Sequence, residues 1–241
     1  MDKDWKNRVS LRDLSPREYM YFPKGVLEQS KPGEFSLLEI THILIAIGAL
    51  SIAFSFSLTK NSILWGILGY SVDFNRLLRG VPFAIIGVLT AFILHELSHK
   101  LMAQRYKLWS EFRMYLLGLL ISMFLAITAG FVFAAPGAVM FRGKPRIFEE
   151  GYIAAAGPIA NIAIGYITYF ILISPLDFYN KHIGFICVIN TVLAVFNLLP
   201  LNPFDGIRIA RWSLTIWLTL FIVSLVLLII ILPYIPLVSN F

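Results

Sequence analysis

Residues 81–100 read VPFAIIGVLTAFILHELSHK. Residues 81–94 carry no charge, and then His95, Glu96 and His99 arrive at the end of the same run. A helix needs about 20 apolar residues to cross a bilayer, so this stretch is a membrane-span candidate. A Glu inside such a run costs about 2.5 kcal/mol or more, and intramembrane charges of this kind mark function. Positions four apart on a helix share one face, about 6 Å along the axis. His95 and His99 are so placed, and His95-Glu96-Leu97-Ser98-His99 is an H-E-x-x-H pattern. Two imidazoles at that spacing can bind one Zn²⁺, and the flanking Glu can take a proton from water. With 4 His and 8 Glu in 241 residues, chance would produce the pattern in roughly 0.002 copies per chain. A helix starting near residue 81 puts His95 roughly 21 Å along it, with about 9 Å of hydrocarbon core remaining. Lys100, Arg105, Lys107 and Arg113 follow and mark the nearer face as cytosolic.

The rest of the chain fits a membrane setting. It is 58% hydrophobic and 14% charged, with a mean hydropathy of +0.78. A soluble domain carries about 25% charged residues. The net charge of +6 forms no basic stripe interleaved with aromatics, which argues against a nucleic-acid partner. Cys187 is the only cysteine, so no intrachain disulfide exists. Residues 1–36 are polar and mixed in charge, and they read as a cytosolic arm with no cleaved signal peptide. Trp5, Trp65, Trp109, Trp212 and Trp217 fit interfacial anchoring, and Glu39 and His42 open the first span as structural residues.

Six apolar stretches run near 37–57, 81–99, 114–135, 152–174, 183–201 and 212–232; the stretch 61–72 is too short to span and fits the interface. If all six cross, 12 of the 20 Lys and Arg residues fall on the inner side. If 114–135 enters and returns on the same side, 16 of the 20 do. The positive-inside rule prefers the second arrangement. Gly130, Pro136 and Gly137 interrupt the stretch where such a turn is needed. A plain sixth helix remains the alternative.

A catalytic zinc takes three protein ligands and keeps one position for water. Glu111, Glu149, Glu150, Asp73, Asp177 and Asp205 are the acidic candidates outside the N-terminal arm. With five crossings, the end of 81–99 and the end of 183–201 reach the same face, and Asp205 meets His95 and His99 there. With six crossings, Asp205 lies opposite them. Asp205 precedes Gly206, so a turn residue is its plainer reading. Pro200 and Pro203 break the helix before it and free backbone groups that an extended peptide could pair with.

Three motifs in order now resemble the site-2 protease family of intramembrane metalloproteases. They are His95-Glu96-Leu97-Ser98-His99, Gly157-Pro158-Ile159-Ala160-Asn161, and Asn197-Leu198-Leu199-Pro200 followed by Pro203-Phe204-Asp205-Gly206. Together they cover about residues 81–211. The resemblance implies Zn²⁺ bound by His95, His99 and Asp205, with Glu96 as catalytic acid/base. It makes Asn161 and Asn197 candidates for substrate or oxyanion contacts; interhelical hydrogen bonding is the competing reading of both. It also places a membrane-associated β-element near Ala135–Val139.

The expected fold is an all-α polytopic membrane protein. It has five or six transmembrane helices and a small re-entrant or β-like element between the first two core helices. Residues 1–36 form the arm, 37–80 the first span and outer loop, 81–211 the catalytic core, and 212–241 the last span. The expected function is zinc-dependent endopeptidase cleavage of transmembrane segments, in the cell membrane, with the active site near the cytosolic face. The partners are membrane-spanning protein substrates and the lipid bilayer. A catalytically inactive relative that binds membrane helices is the alternative. A metal transporter would need ligands along a path through both leaflets, and here they cluster at one depth.

Overall fold

The computed structural model describes residues 35–132, 136–143, 145–174 and 180–234. The expected arm lies almost wholly outside the described residues, as do Asp177 and residues 235–241 of the expected last span. The elements are α1 (Leu37–Leu58), α2 (Ile63–Ile67), α3 (Phe74–Val88), α4 (Leu94–Arg105), β1 (Trp109–Met114), α5 (Leu116–Ala129), β2 (Gly137–Arg142), α6 (Ile147–Leu172), α7 (Asn180–Asn197), α8 (Gly206–Trp212) and α9 (Leu214–Ile231). The described residues are mostly helical, with one small two-stranded sheet among them.

Among the described residues, four helices are long and apolar enough to cross a membrane: Leu37–Ile67, Phe74–Arg105, Ile147–Leu172 and Leu214–Tyr234. The second is α3 and α4 joined by a single π turn, Leu89–Ile93. It begins at Phe74, ahead of the apolar run, because Asp73 caps it by accepting from Asn75 N and Arg76 N. The expected boundary at residue 80 therefore falls inside a helix. Two apolar helices are shorter, Leu116–Ala129 and Lys181–Asn197. Large apolar side chains such as Leu44, Phe124, Ile167, Phe170 and Ile229 face outward, as expected of helices solvated by lipid.

Side-chain contacts give the helix directions. Ser55 donates to the Leu77 carbonyl while Glu39 reaches Lys100, so α1 runs antiparallel to α3–α4. His95 meets Asn161 and His99 meets Ile153, so α4 and α6 are antiparallel. Phe83 stacks on His182 and Asn190 reaches Thr90, so α7 runs parallel to α3–α4. The end of α4, the start of α6 and the end of α7 consequently meet at one end of the bundle. One apolar core joins α1, the π turn, β1 and α5 through Ala46, Leu50, Phe92, Ile93, Phe112 and Leu119. A second joins α6, the end of α7 and α8 through Ala154, Ala155, Ile162, Ala194, Leu198 and Ile209. The zinc-motif helix is held between them.

The chain segment between β1 and β2 begins and ends at the same end of the bundle. Strands β1 and β2 flank α5 and pair with each other antiparallel, from Trp109↔Arg142 to Met114↔Gly137. Helix α5 ends at Gly130, whose φ of 69° suits glycine. Any Cβ there would crowd Ser62 and Trp65 beyond the far end of α1. Strand β1, by contrast, sits at the near end, where Met114 N donates to His42 Nδ1. The 14 residues of α5 rise about 21 Å. The chain from Gly130 to Gly137 reaches at most about 24 Å, enough to come back. The β-like element expected near 135–139, of which Ala135 lies outside the described residues, is thus the start of β2, and its partner strand is β1 on the other side of α5.

Candidate metal centre

His95 and His99 project from one face of α4, as their spacing requires. Their Nε2 atoms lie 3.0 Å apart. Asp205 Oδ2 is 3.4 Å from His95 Nε2 and 3.1 Å from His99 Nε2. All three residues are buried, and they are the one group of this kind among the described residues.

The hydrogen bonds behind the imidazoles settle which nitrogens face inward. His95 Nδ1 lies 2.5 Å from Asn161 Oδ1, and His99 Nδ1 lies 2.7 Å from the Ile153 carbonyl oxygen. The Asn161 amide is oriented by its Nδ2, which donates to Ala91 O at 2.7 Å and Asn190 Oδ1 at 3.0 Å. Both imidazoles therefore donate through Nδ1, and both Nε2 atoms present lone pairs. Two lone pairs and a carboxylate at such separations repel unless a cation sits among them. Ligand atoms about 2.0–2.1 Å from a tetrahedral Zn²⁺ lie roughly 3.3 Å from one another. The observed 3.0–3.4 Å separations fit that donor set.

Two glycines make the approach possible. A Cβ on Gly157 of α6 would lie 2.5 Å from His99 Nε2 and 2.6 Å from His95 Nε2, inside the ligand cluster. Asp205 comes from the end of α7, where turns through Leu198–Phe204 lead into α8. A side chain at Gly206 would run into the Leu198 and Leu199 carbonyls. Trp217 Nε1 donates to Leu198 O at 2.7 Å and ties α9 to this turn. Arg208 lies between Glu150 at 3.6 Å and Asp205 Oδ1 at 4.0 Å.

Glu96 is buried beside this cluster, and its Oε2 accepts the Val139 N–H of β2 at 2.9 Å. Asn161 is fully buried and both amide protons are used, which is the interhelical bonding pattern; contact with a substrate would cost one of those bonds. Asn197 is half-buried near the end of α7, and its Nδ2 donates to the Leu193 carbonyl at 3.1 Å. The other acidic candidates do other work. Asp73 caps α3, Glu111 pairs with Arg113, Glu149 Oε2 accepts from Arg146 N at the start of α6, and Glu150 approaches Arg208.

Sequence reasoning missed two partners of the site. Asn190, on α7, orients Asn161. Lys100 is 1% exposed and pairs with Glu39, so it is no solvated loop charge. The signal available was Glu39 itself, a carboxylate inside an apolar run.

Comparison with known proteins returns two relatives. "Putative zinc metalloprotease MJ0611" of Methanocaldococcus jannaschii is 36% identical over 188 residues, covering 76% of this chain and 88% of that protein. "Putative zinc metalloprotease YwhC" of Bacillus subtilis is 30% identical over 153 residues, covering 54% of this chain and 68% of that protein. No family model matches the chain, and no solved structure gives a significant match.

Proposed function

This chain belongs to the zinc metalloprotease family of those two relatives, and from that membership we propose that it is a zinc-dependent intramembrane endopeptidase of the site-2 protease type. Its substrates are membrane-spanning proteins, cut within or at the edge of their transmembrane segments. The observation that carries this reading is the burial of His95, Glu96 and His99 on a helix apolar and long enough to cross a membrane, with the buried Asp205 brought against the two histidines from the turn after α7.

His95 and His99 supply Nε2 and Asp205 supplies Oδ2 to the ion. When bound, Zn²⁺ polarises the scissile carbonyl and lowers the pKa of a water. Glu96 takes the proton of the attacking water and delivers it to the leaving amine. The Val139 N–H holds one oxygen of that carboxylate. Asn161 and the Ile153 carbonyl keep the two imidazoles in the tautomer that faces inward. Asn197 stands close enough in sequence to the Asp205 turn to serve as a substrate or oxyanion contact.

The positive-inside count supports a cytosolic placement of the site. His99 lies about 9 Å of helix before Arg105, so water has a short path to it. The test is metal analysis of the purified protein together with cleavage of reporters carrying a transmembrane segment, with Glu96→Gln as control. About one zinc per chain and cleavage inside the segment are expected. Cleavage confined to soluble peptides, or none by zinc-loaded wild-type protein across a panel of segments, overturns the proposal.

A further inference from the structure

Two buried charges take no part in the chemistry above. Glu39, in the first turn of α1, is 0% exposed, and Lys100, directly after His99, is 1% exposed. They pair with each other, and the Phe35 ring lies 3.8 Å from Lys100 Nζ. A buried ion pair is weak evidence for stability, because apolar replacements of similar volume often match it or do better. Its geometry is more telling.

The Glu39 carboxylate has a second partner. Oε2 meets Lys100, and Oε1 accepts the Phe112 N–H of β1 at 2.9 Å. Phe112 stands opposite Val139 of β2. The outward N–H groups of both residues make this a pair that does not exchange ladder bonds. Val139 N–H goes to Glu96. Glu96 and Lys100 are one turn apart on the same helix, so the path closes on itself. It runs from Lys100 to Glu39, across β1 and β2, to Glu96 and back along α4. The two-stranded sheet hangs between two carboxylates, one from α1 and one from α4.

We propose that Glu39 is a positioning residue for Glu96: held by Lys100, it fixes β1, and β1 carries the β2 amide that orients the Glu96 carboxylate. Apolar packing of Phe112 on Phe92 keeps the sheet in place laterally, while the carboxylate contacts set its height along α4. The kinetic consequence rests on the protease reading; the structural one does not.

The experiment compares two double variants of the full chain in lipid, both zinc-loaded. Glu39→Leu with Lys100→Met removes the charges and the acceptor for Phe112 N–H. Glu39→Gln with Lys100→Met removes the charges and keeps an acceptor. The leucine variant is expected to lose about 10²-fold in kcat with KM and zinc content unchanged, as for an interaction used in the transition state. Amide exchange over residues 137–142 should quicken in the same variant. The glutamine variant should rescue both readouts. Val139→Pro removes the N–H at the other end of the path without touching the buried pair, and should reproduce the loss in kcat; proline is tolerated on an outward strand edge. A folded, zinc-loaded leucine or proline variant with wild-type kcat overturns the proposal, as does unchanged exchange over 137–142 in the leucine variant. A wild-type protein that cleaves nothing counts against the proposed function alone, since exchange still reads the coupling.

Discussion

Met114 and Gly137 stand opposite each other in the two-stranded sheet, although the 14-residue helix α5 lies between them in the chain. Whatever path α5 takes, the chain must leave and regain the same end of the bundle. That pairing keeps α4, α6 and α7 in the alternation that brings Asp205 to the two histidines. An odd number of crossings between β1 and β2 would place the carboxylate at the wrong end.

Same-side labelling follows. In a Cys187→Ser background, single cysteines at Arg105 and Arg146 should react with an impermeant maleimide from one side of sealed vesicles. A cysteine at Asn75, at the opposite end of the α3–α4 helix, should react from the other. Labelling of Arg105→Cys and Arg146→Cys from opposite sides would mean that α5 crosses fully.

Glu96→Gln should keep zinc bound, because the ligand set of His95, His99 and Asp205 is untouched. Cleavage should fall about 10²–10⁴-fold, the usual contribution of a general acid/base. Zinc content and initial rate on one preparation check both halves.

Asn161→Leu removes the acceptor that holds His95 Nδ1. Zinc affinity should drop about 10–100-fold, as for other outer-shell partners of metal-bound histidines. Competition with a chelator measures this directly, without reference to turnover.

Gly157→Ala puts a methyl group between the imidazoles. Alanine favours a helix over glycine by about 1 kcal/mol, so α6 itself is not weakened. The expected variant is folded, short of zinc and inactive. Full zinc occupancy in it would show that the helices can separate enough to admit the methyl group.

Local regularities were legible from residues alone. The helical period puts His95 and His99 on one face wherever the helix goes, and apolar length marks the spans. Counting Lys and Arg along the chain favoured a returning 114–135, and Gly130 stands in the left-handed conformation that ends α5. Less visible was β1. Its six residues, Trp109–Met114, gain their strand character from pairing with β2, on the far side of α5. In sequence Lys100 marks the cytosolic face; the structure buries it against Glu39, because a carboxylate 61 residues away in sequence comes to meet it.

By itself, the order of residues determined what each segment could be: a zinc-binding helix, a glycine on the next core helix, an acidic turn after a proline break. These depend on neighbours within a turn or two of chain, whose separation covalent geometry limits. The motif resemblance and the charge count point to Asp205 as the acid, but how closely its carboxylate approaches the two imidazoles, why residue 157 must lack a side chain, and what Glu39 is for were decided only by tertiary packing. Each depends on distances between atoms on different helices, and those are set by how the helices pack together rather than by their spacing along the chain.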